Sequence, residues 1–151
     1  MADTSLSENR IGLLIWKNSN YWQTQLRKIL RPHNLSLNEY LILESIHHLH
    51  SIKSKTHQNV ISSFIGIDIS VASVTFKSLE NKNYISRQIE NDNRKKIVKM
   101  LDRGKILFED ISPLIEKEEQ LMFQILKNET FNFTNSLKLL LGKKIRIQAK
   151  Q

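Results

Sequence analysis

Residues 56–83 constrain the fold most, because they hold two short helical patterns joined by a tight glycine-containing turn. Thr56 is expected to cap the first of these helices, and Gly66 is expected to end it. Its predicted inward face consists of Val60, Ile61, Phe64 and Ile65.

The second short helix is expected to begin at a Ser70 cap and to bury Ala72, Phe76 and Leu79. The polar residues 81–83 form its exit. Two short helices joined by such a turn form a helix-turn-helix.

The apolar spacing changes directly after this exit. Residues 84–89, YISRQI, and residues 95–100, KKIVKM, are rich in the β-branched and apolar side chains typical of strands. The polar residues between them are expected to form the loop of a hairpin. A hairpin directly after a helix-turn-helix is a wing.

Two helices are predicted before this region. Apolar residues at helical spacing indicate a first helix over residues 9–31, which should stop before Pro32. Ser36 and Glu39 have the spacing of a capping box, so a second helix is expected to begin at Leu37.

Two more helices are predicted after the wing. A long one should run from Gly104 to about Lys127, with a kink or break at Pro113, and a last one should cover residues 133–141. The expected fold is mainly α (α+β). It forms a single unit over residues 1–151, with a winged-helix region at residues 35–102.

The chain has 151 residues, a formal net charge of +8 and no cysteine. This charge attracts polyanions, so nucleic acid is the first partner to consider. The lack of cysteine excludes disulfides, thiolate zinc sites and thiol-based redox sensing. No apolar run reaches the roughly 20 residues that span a bilayer, and no signal-peptide pattern is present. We therefore expect a cytoplasmic protein with no membrane partner.

The sequence holds neither a glycine-rich phosphate loop nor a nucleophile motif, so we expect no enzymatic activity and no cofactor. His47 and His50 lie one helical turn apart and could share a metal ion. No carboxylate or cysteine completes a ligand set at fixed spacing. No metal site is therefore predicted, and histidines at a helix end are the better interpretation.

The outward face of the second short helix is expected to contact DNA, because small, aliphatic and basic side chains share it. Serine can read several base edges, aliphatic side chains meet thymine methyl groups, and lysine reaches guanine or phosphate. The alternative is an ordinary helix contact in a protein interface. With Ile69 and Ser78, the face comprises the candidate contacts Ser70, Val71, Ser73, Val74 and Lys77.

Positive charge lies in two places beside this helix. One is the hairpin, where a narrow minor groove favours an inserted arginine and phosphates favour any cation. The other is the start of the first short helix, whose amides can also hold a phosphate. A solvated charge run and a flexible linker are the alternatives. The candidates are Arg87, Arg94, Lys95 and Lys96 in the hairpin, and Lys55 and His57 before the helix.

This order of elements resembles the MarR family of bacterial transcription regulators over about residues 11–141. The stretch LLIWKNSNYWQTQLRKILRPHNLSLNEYLILESI is similar to the family's first two helices. FIGIDISVASVTFKSLENKNYISR looks like its third helix, recognition helix and first wing strand. The exit motif Leu-Glu-x-Lys-x-x-Ile is carried by Leu79, Glu80, Lys82 and Ile85.

The family's wing signature is Asp-x-Arg followed by a strand and Leu-Thr-x-x-Gly. Asp92 and Arg94 match its first part, and Gly104 matches its glycine. By this resemblance, Asp92 holds Arg94 by an ion pair so that the arginine enters the minor groove.

The chain departs from the family pattern at three places, the first of which is a wing loop about one residue shorter than usual. Met100 and Leu101 stand where Leu-Thr is usual, so Asp102 is expected to cap the long helix. Val74 stands where many members carry arginine, which bears on the operator sequence.

The resemblance implies a homodimer, with residues 9–31 and 103–143 forming the dimerisation helices. Its two recognition helices would read a pseudo-palindromic operator in double-stranded DNA. The family usually responds to a small, often aromatic or anionic ligand bound between the dimer and DNA-binding parts. The candidates for lining such a pocket are Trp16, Ser19 and His47.

The leading hypothesis is a homodimeric, sequence-specific DNA-binding regulator, expected to be a repressor that a small ligand can relieve. A sequence-tolerant chromosomal DNA- or RNA-binding module would use the same charge without a specific operator. A third class, a protein-interaction winged helix, would show no steep salt dependence, and the basic wing argues against it.

Overall fold

The computed structural model describes residues 8–90 and 95–143. Within these ranges the chain forms, in order, α1 (Ile11–Leu30), α2 (Leu37–Ser51), α3 (Gln58–Ile65), α4 (Ile69–Asn81), β1 (Ile85–Glu90), β2 (Lys95–Met100), α5 (Asp102–Phe123) and α6 (Thr130–Leu140). Short 3-10 segments, Arg31–His33 and Gln124–Glu129, follow α1 and α5. The predicted mainly helical fold with a two-stranded wing is confirmed.

None of the helices in these ranges is by itself long and apolar enough to cross a membrane. If α3 and α4 are taken together as one segment, they have the length and apolar composition of a membrane span, but the two helices are bent by 117° relative to each other.

The predicted capping box fixes the start of α2. The Ser36 hydroxyl accepts a hydrogen bond from the Glu39 backbone N–H at 3.1 Å, and the Glu39 carboxylate accepts one from the Ser36 backbone N–H at 3.0 Å. α2 then packs against α1, α3, α4, α5 and β2. Its fully buried residues Ile42 and Leu43 lie at the centre of the core.

Gly66 ends α3 as predicted, with a φ of +81° that favours glycine. Both predicted N-caps are wrong by one or two residues. His57, not Thr56, precedes α3, and its side chain makes no cap hydrogen bond. Asp68, not Ser70, caps α4, because its carboxylate reaches the Ser70 backbone N–H at 2.9 Å.

The predicted inward face of α3 is correct only in part. Ile61 is fully buried and Ile65 is half-buried, but Val60 and Phe64 are exposed. A helix of eight residues presents one narrow face to the core, and Ile61 occupies it. The Phe64 ring instead stacks on His48, with 5.3 Å between the ring centroids.

β1 and β2 form the wing, an antiparallel pair in which Ile85 lies opposite Met100 and Glu90 lies opposite Lys95. The predicted strands agree with these bounds to within one residue. Ile85 and Val98 are buried and anchor the wing to the core. The predicted loop residues 91–94 lie outside the described ranges.

α5 begins where the chain approaches the end of α4 most closely. Leu101, not Asp102, is the N-cap, because Asp102 is already the first helical residue. A Cβ on Gly104 would overlap the Tyr84 carbonyl oxygen and would lie 3.2 Å from Met100 Cγ. The absence of a side chain at Gly104 therefore permits this approach.

Pro113 neither ends nor breaks α5, which continues to Phe123. A proline removes one backbone donor but does not force the chain to stop. The interruption comes later, at Lys127, whose φ of 49° and ψ of −124° are not helical. α6 begins at Thr130, three residues earlier than predicted.

Gly104→Ala should destabilise the fold by about 1–3 kcal/mol, because the added methyl group must displace the Tyr84 backbone. The free energy of unfolding in urea measures this change. Gly12→Ala in α1 is the matched control, since a Cβ there meets nothing within 4 Å. That control should be neutral or slightly stabilising. Equal stabilities of the two variants would contradict the close approach.

Candidate nucleic-acid interface

The outer face of α4 is exposed along its length. Ala72, Phe76 and Leu79 are buried as predicted. Ser70, Val74 and Lys77 follow one another by four and three residues, which places them on the opposite face. Val74 is 72% exposed, and Ile69 at the start of the helix is 76% exposed. Ser73 and Val71 are also exposed and flank this stripe.

Asp68 holds the first turn of α4. Its Oδ1 accepts from the Ser70 backbone N–H at 2.9 Å and from the Ser70 hydroxyl at 2.5 Å. These hydrogen bonds lower the pKa of Asp68, and the one from the Ser70 hydroxyl has the larger effect. Asp68 therefore carries a negative charge at the positive end of the helix dipole.

Glu39 connects the start of α2 to the end of α4. Besides capping α2, its carboxylate accepts from the Ser78 hydroxyl at 3.1 Å and from Lys82 Nζ at 3.0 Å. Lys82 Nζ also donates to the Asn34 carbonyl at 2.8 Å. Glu39 is 5% exposed, so this network fixes α4 against α2 by buried polar contacts.

Arg87 on β1 is turned towards α4 and α3. Its Nε and Nη2 donate to the two carboxylate oxygens of Glu80 at 3.2 and 3.0 Å, and its Nη1 donates to Gln58 Oε1 at 3.2 Å. The hydrogen bonds from Arg87 lower the pKa of Glu80. In this geometry Arg87 anchors the wing, which its assignment as a DNA contact did not anticipate.

His57 is likewise engaged within the protein. It is buried, and its Nε2 lies 2.7 Å from Glu90 Oε2 at the end of β1. This contact lowers the pKa of Glu90. The Val98 backbone N–H also donates to the Thr56 carbonyl at 2.9 Å, so the segment before α3 is tied to both strands of the wing.

The remaining predicted cations that the structure describes are not buried. Lys55, Lys77, Lys95 and Lys96 are exposed. Asp92 and Arg94, predicted to act at the wing tip, lie outside the described residues.

The three residues predicted to line a ligand pocket lie apart. Ser19 lines an apolar groove of about 510 Å³ between α1, α5 and α6. His47 lines a different cavity of about 620 Å³ between α2, β2 and α5. Trp16 is 65% exposed. The structure thus does not bring them together in one site.

The groove beside Ser19 contains Trp22, which sequence reasoning assigned to packing. Its Nε1 donates to Glu119 Oε2 at 2.9 Å. Glu119 raises the pKa of Glu44, after the larger effect of burial. In residues 8–90 and 95–143, no group of three or more His, Asp or Glu side chains could hold a metal ion.

A family model described as the MarR family matches residues 35–97, which contain α2, α3, α4, β1 and the first half of β2. This part of the chain is similar to the MarR family. A relative in Bacillus subtilis (strain 168), the uncharacterized HTH-type transcriptional regulator YdcH, is 26% identical over 122 residues. The match covers 80% of this chain and 83% of that protein.

Solved structures share the fold of this chain. MepR of S. aureus, solved as a complex with DNA, superposes with a TM-score of 0.79 at 18% identity, covering 90% of this chain and 97% of MepR. CouR of Rhodococcus jostii RHA1, solved with p-coumaroyl-CoA, gives a TM-score of 0.77 at 16% identity, with coverages of 95% and 100%. The relatives found are transcription regulators rather than enzymes.

The exit motif noted in the sequence has a structural reason at each position. Leu79 and Ile85 are buried in the core. Glu80 binds Arg87, and Lys82 binds Glu39. The motif therefore holds the recognition helix to α2 and to the wing at the same time.

Arg87→Met should raise the pKa of Glu80 towards its ordinary value, because the side-chain hydrogen bonds that lower it are lost. A pH titration of the Glu80 carboxyl by NMR measures this change. Because the folded-state pKa lies below the unfolded one, the pair stabilises the fold above about pH 4.3 and less as pH falls through the folded pKa. The stability lost in Arg87→Met should therefore shrink at low pH.

Lys99→Met is the control for this titration, since it removes an exposed wing cation while leaving Arg87 in place. An unchanged pKa of Glu80 in Arg87→Met would show that the anchoring contact is absent in solution.

Proposed function

We propose that this protein is a homodimeric transcription regulator that binds a pseudo-palindromic operator in cytoplasmic double-stranded DNA and represses transcription there. The observation that carries the proposal is the exposed outer face of α4, held rigidly beside a basic wing. Bound at a promoter, such a dimer would exclude the transcription machinery.

In this proposal the DNA contacts divide between two surfaces. Ser70, Val71, Ser73, Val74 and Lys77 face the major groove. Arg94, aimed by Asp92, enters the minor groove, while Lys95, Lys96 and Lys55 meet phosphates. Arg87 and His57 act as positioning residues, because Glu80 and Glu90 hold them within the protein. MepR, which shares the fold, was solved as a complex with DNA, and this supports DNA binding.

Dimerisation is proposed through the helices outside the winged-helix region of residues 35–102. α1, α5 and α6, within residues 9–31 and 103–143, carry large exposed apolar side chains, and a groove of about 510 Å³ lies between them. Exposed apolar surface of this extent marks a protein interface. The exposed apolar side chains of these helices include Leu14, Ile15, Leu121, Phe133 and Leu137, and Ile125 lies in the 3-10 segment after α5.

We place the effector in the 620 Å³ cavity between α2, β2 and α5. His47, His50, Lys99 and Lys105 line it together with Asp102. Because the two lysines outnumber the single carboxylate, an anionic ligand suits this lining. CouR, which shares the fold, was solved with p-coumaroyl-CoA. A ligand lodged between α5 and the wing would shift the wing and weaken operator binding.

Competition by random DNA tests sequence-specific binding. A protein that reads an operator should prefer its site by about 10³-fold or more over random duplex at fixed salt. The measurement is fluorescence anisotropy with a selected site as probe. Equal competition by random DNA or RNA would support the sequence-tolerant module instead, and binding without salt dependence would support a protein-interaction domain.

Leu137→Glu should dissociate the dimer, because it places a charge in the apolar groove between α1, α5 and α6. Sedimentation velocity should then give a monomer where the unaltered chain gives a dimer. Ile52→Glu is the control: Ile52 is exposed but lies outside these helices, so its variant should remain dimeric. A dimeric Leu137→Glu would place the interface elsewhere.

A further inference from the structure

The outer face of α4 carries exposed aliphatic side chains and few hydrogen-bond donors. Val74 and Ile69 are 72% and 76% exposed, and Val71 is exposed between them along the chain. Single exposed aliphatic side chains are ordinary, but three within two turns of one helix form an apolar patch of the kind that marks a binding surface. Lys77 lies on the same helix face and the wing adds the exposed Lys95 and Lys96, so an anionic partner suits this surface.

Of the side chains that commonly read guanine, this face carries Lys77 but no arginine. Guanine presents two acceptors in the major groove and is bound best by a bidentate arginine. α4 contains no arginine and no glutamine, and its one asparagine, Asn81, is its last residue. Asn81 therefore lies about 10 Å along the helix axis from Val74.

Ser70 is also restricted as a donor. Its hydroxyl donates to Asp68 at 2.5 Å, so the oxygen presents acceptor capacity to a ligand. Lys77 and Ser73 remain as donors on this face. The outer face of α4 thus offers few hydrogen-bond donors, while its aliphatic side chains present several methyl groups.

Resting on the proposed DNA binding, we infer that the operator carries thymines opposite Val74 and Ile69 and that α4 reads them through their C5-methyl groups. Among the four bases only thymine offers an apolar group in the major groove. A valine or isoleucine packed on this methyl excludes water from both partners. Removal of one buried methyl group should weaken binding about fourfold.

The test begins with selection of duplexes from a random library by the full-length protein. In the enriched operator, each thymine is then replaced singly by deoxyuridine, which differs from it only by lacking the methyl group. Replacement at the positions facing Val74 or Ile69 should weaken binding about fourfold, and replacement outside the half-sites should have no effect.

A double-mutant cycle assigns the methyl contact to its side chain. In Val74→Ala, deoxyuridine opposite position 74 should no longer weaken binding, because the packing partner is already absent. Val60→Ala, an exposed valine on α3, is the matched control and should keep the full deoxyuridine effect. Thermal unfolding checks that both variants, which alter exposed positions, retain the fold.

The outcomes separate the two proposals. If selection enriches no sequence, the proposed operator binding fails and this inference fails with it. If an operator is enriched but is insensitive to deoxyuridine, or carries guanines opposite α4, operator binding stands and the methyl readout is overturned. Enrichment with a deoxyuridine effect that disappears in Val74→Ala establishes it.

Discussion

The buried carboxylate of Glu39 holds together the two helices on which the exposed α4 face depends. It caps α2 through Ser36 and accepts hydrogen bonds from Ser78 and Lys82 at the far end of α4. α2 packs against five other elements and lies at the centre of the core. The orientation of α4 is therefore set by its contacts with this central helix. Burying a carboxylate this deeply costs free energy unless hydrogen-bond donors surround it. Each of its hydrogen-bond partners must therefore stay in position.

Patterns local in the chain predicted most of the fold. The capping box at Ser36, the turn at Gly66 and the strands of the wing were correct because each depends on residues close in sequence. The caps of α3 and α4 were missed because the deciding factor is which side chain reaches a backbone amide. Asp68, two residues before Ser70, was a signal available in the sequence.

The candidate site was harder to predict than the fold. Arg87 and His57 were selected for their charge, but Glu80 and Glu90 hold them within the protein. These pairings depend on how the wing folds back on α3 and α4, which no local pattern reveals. Likewise, Ser19 and His47 line separate cavities because residues far apart in sequence form each wall. Counting cations along the chain therefore overestimates the charge that the surface presents.

Asp68 has a consequence for how a polyanion can approach α4. The backbone amides at a helix N-terminus ordinarily form a binding site for a phosphate. Here the protein supplies its own anion, which takes the Ser70 amide and whose lowered pKa keeps it charged. A phosphate at that end would be repelled by the Asp68 carboxylate, which offsets the attraction of the helix dipole. DNA in the proposed complex would therefore approach α4 along its side and not over its N-terminal amides.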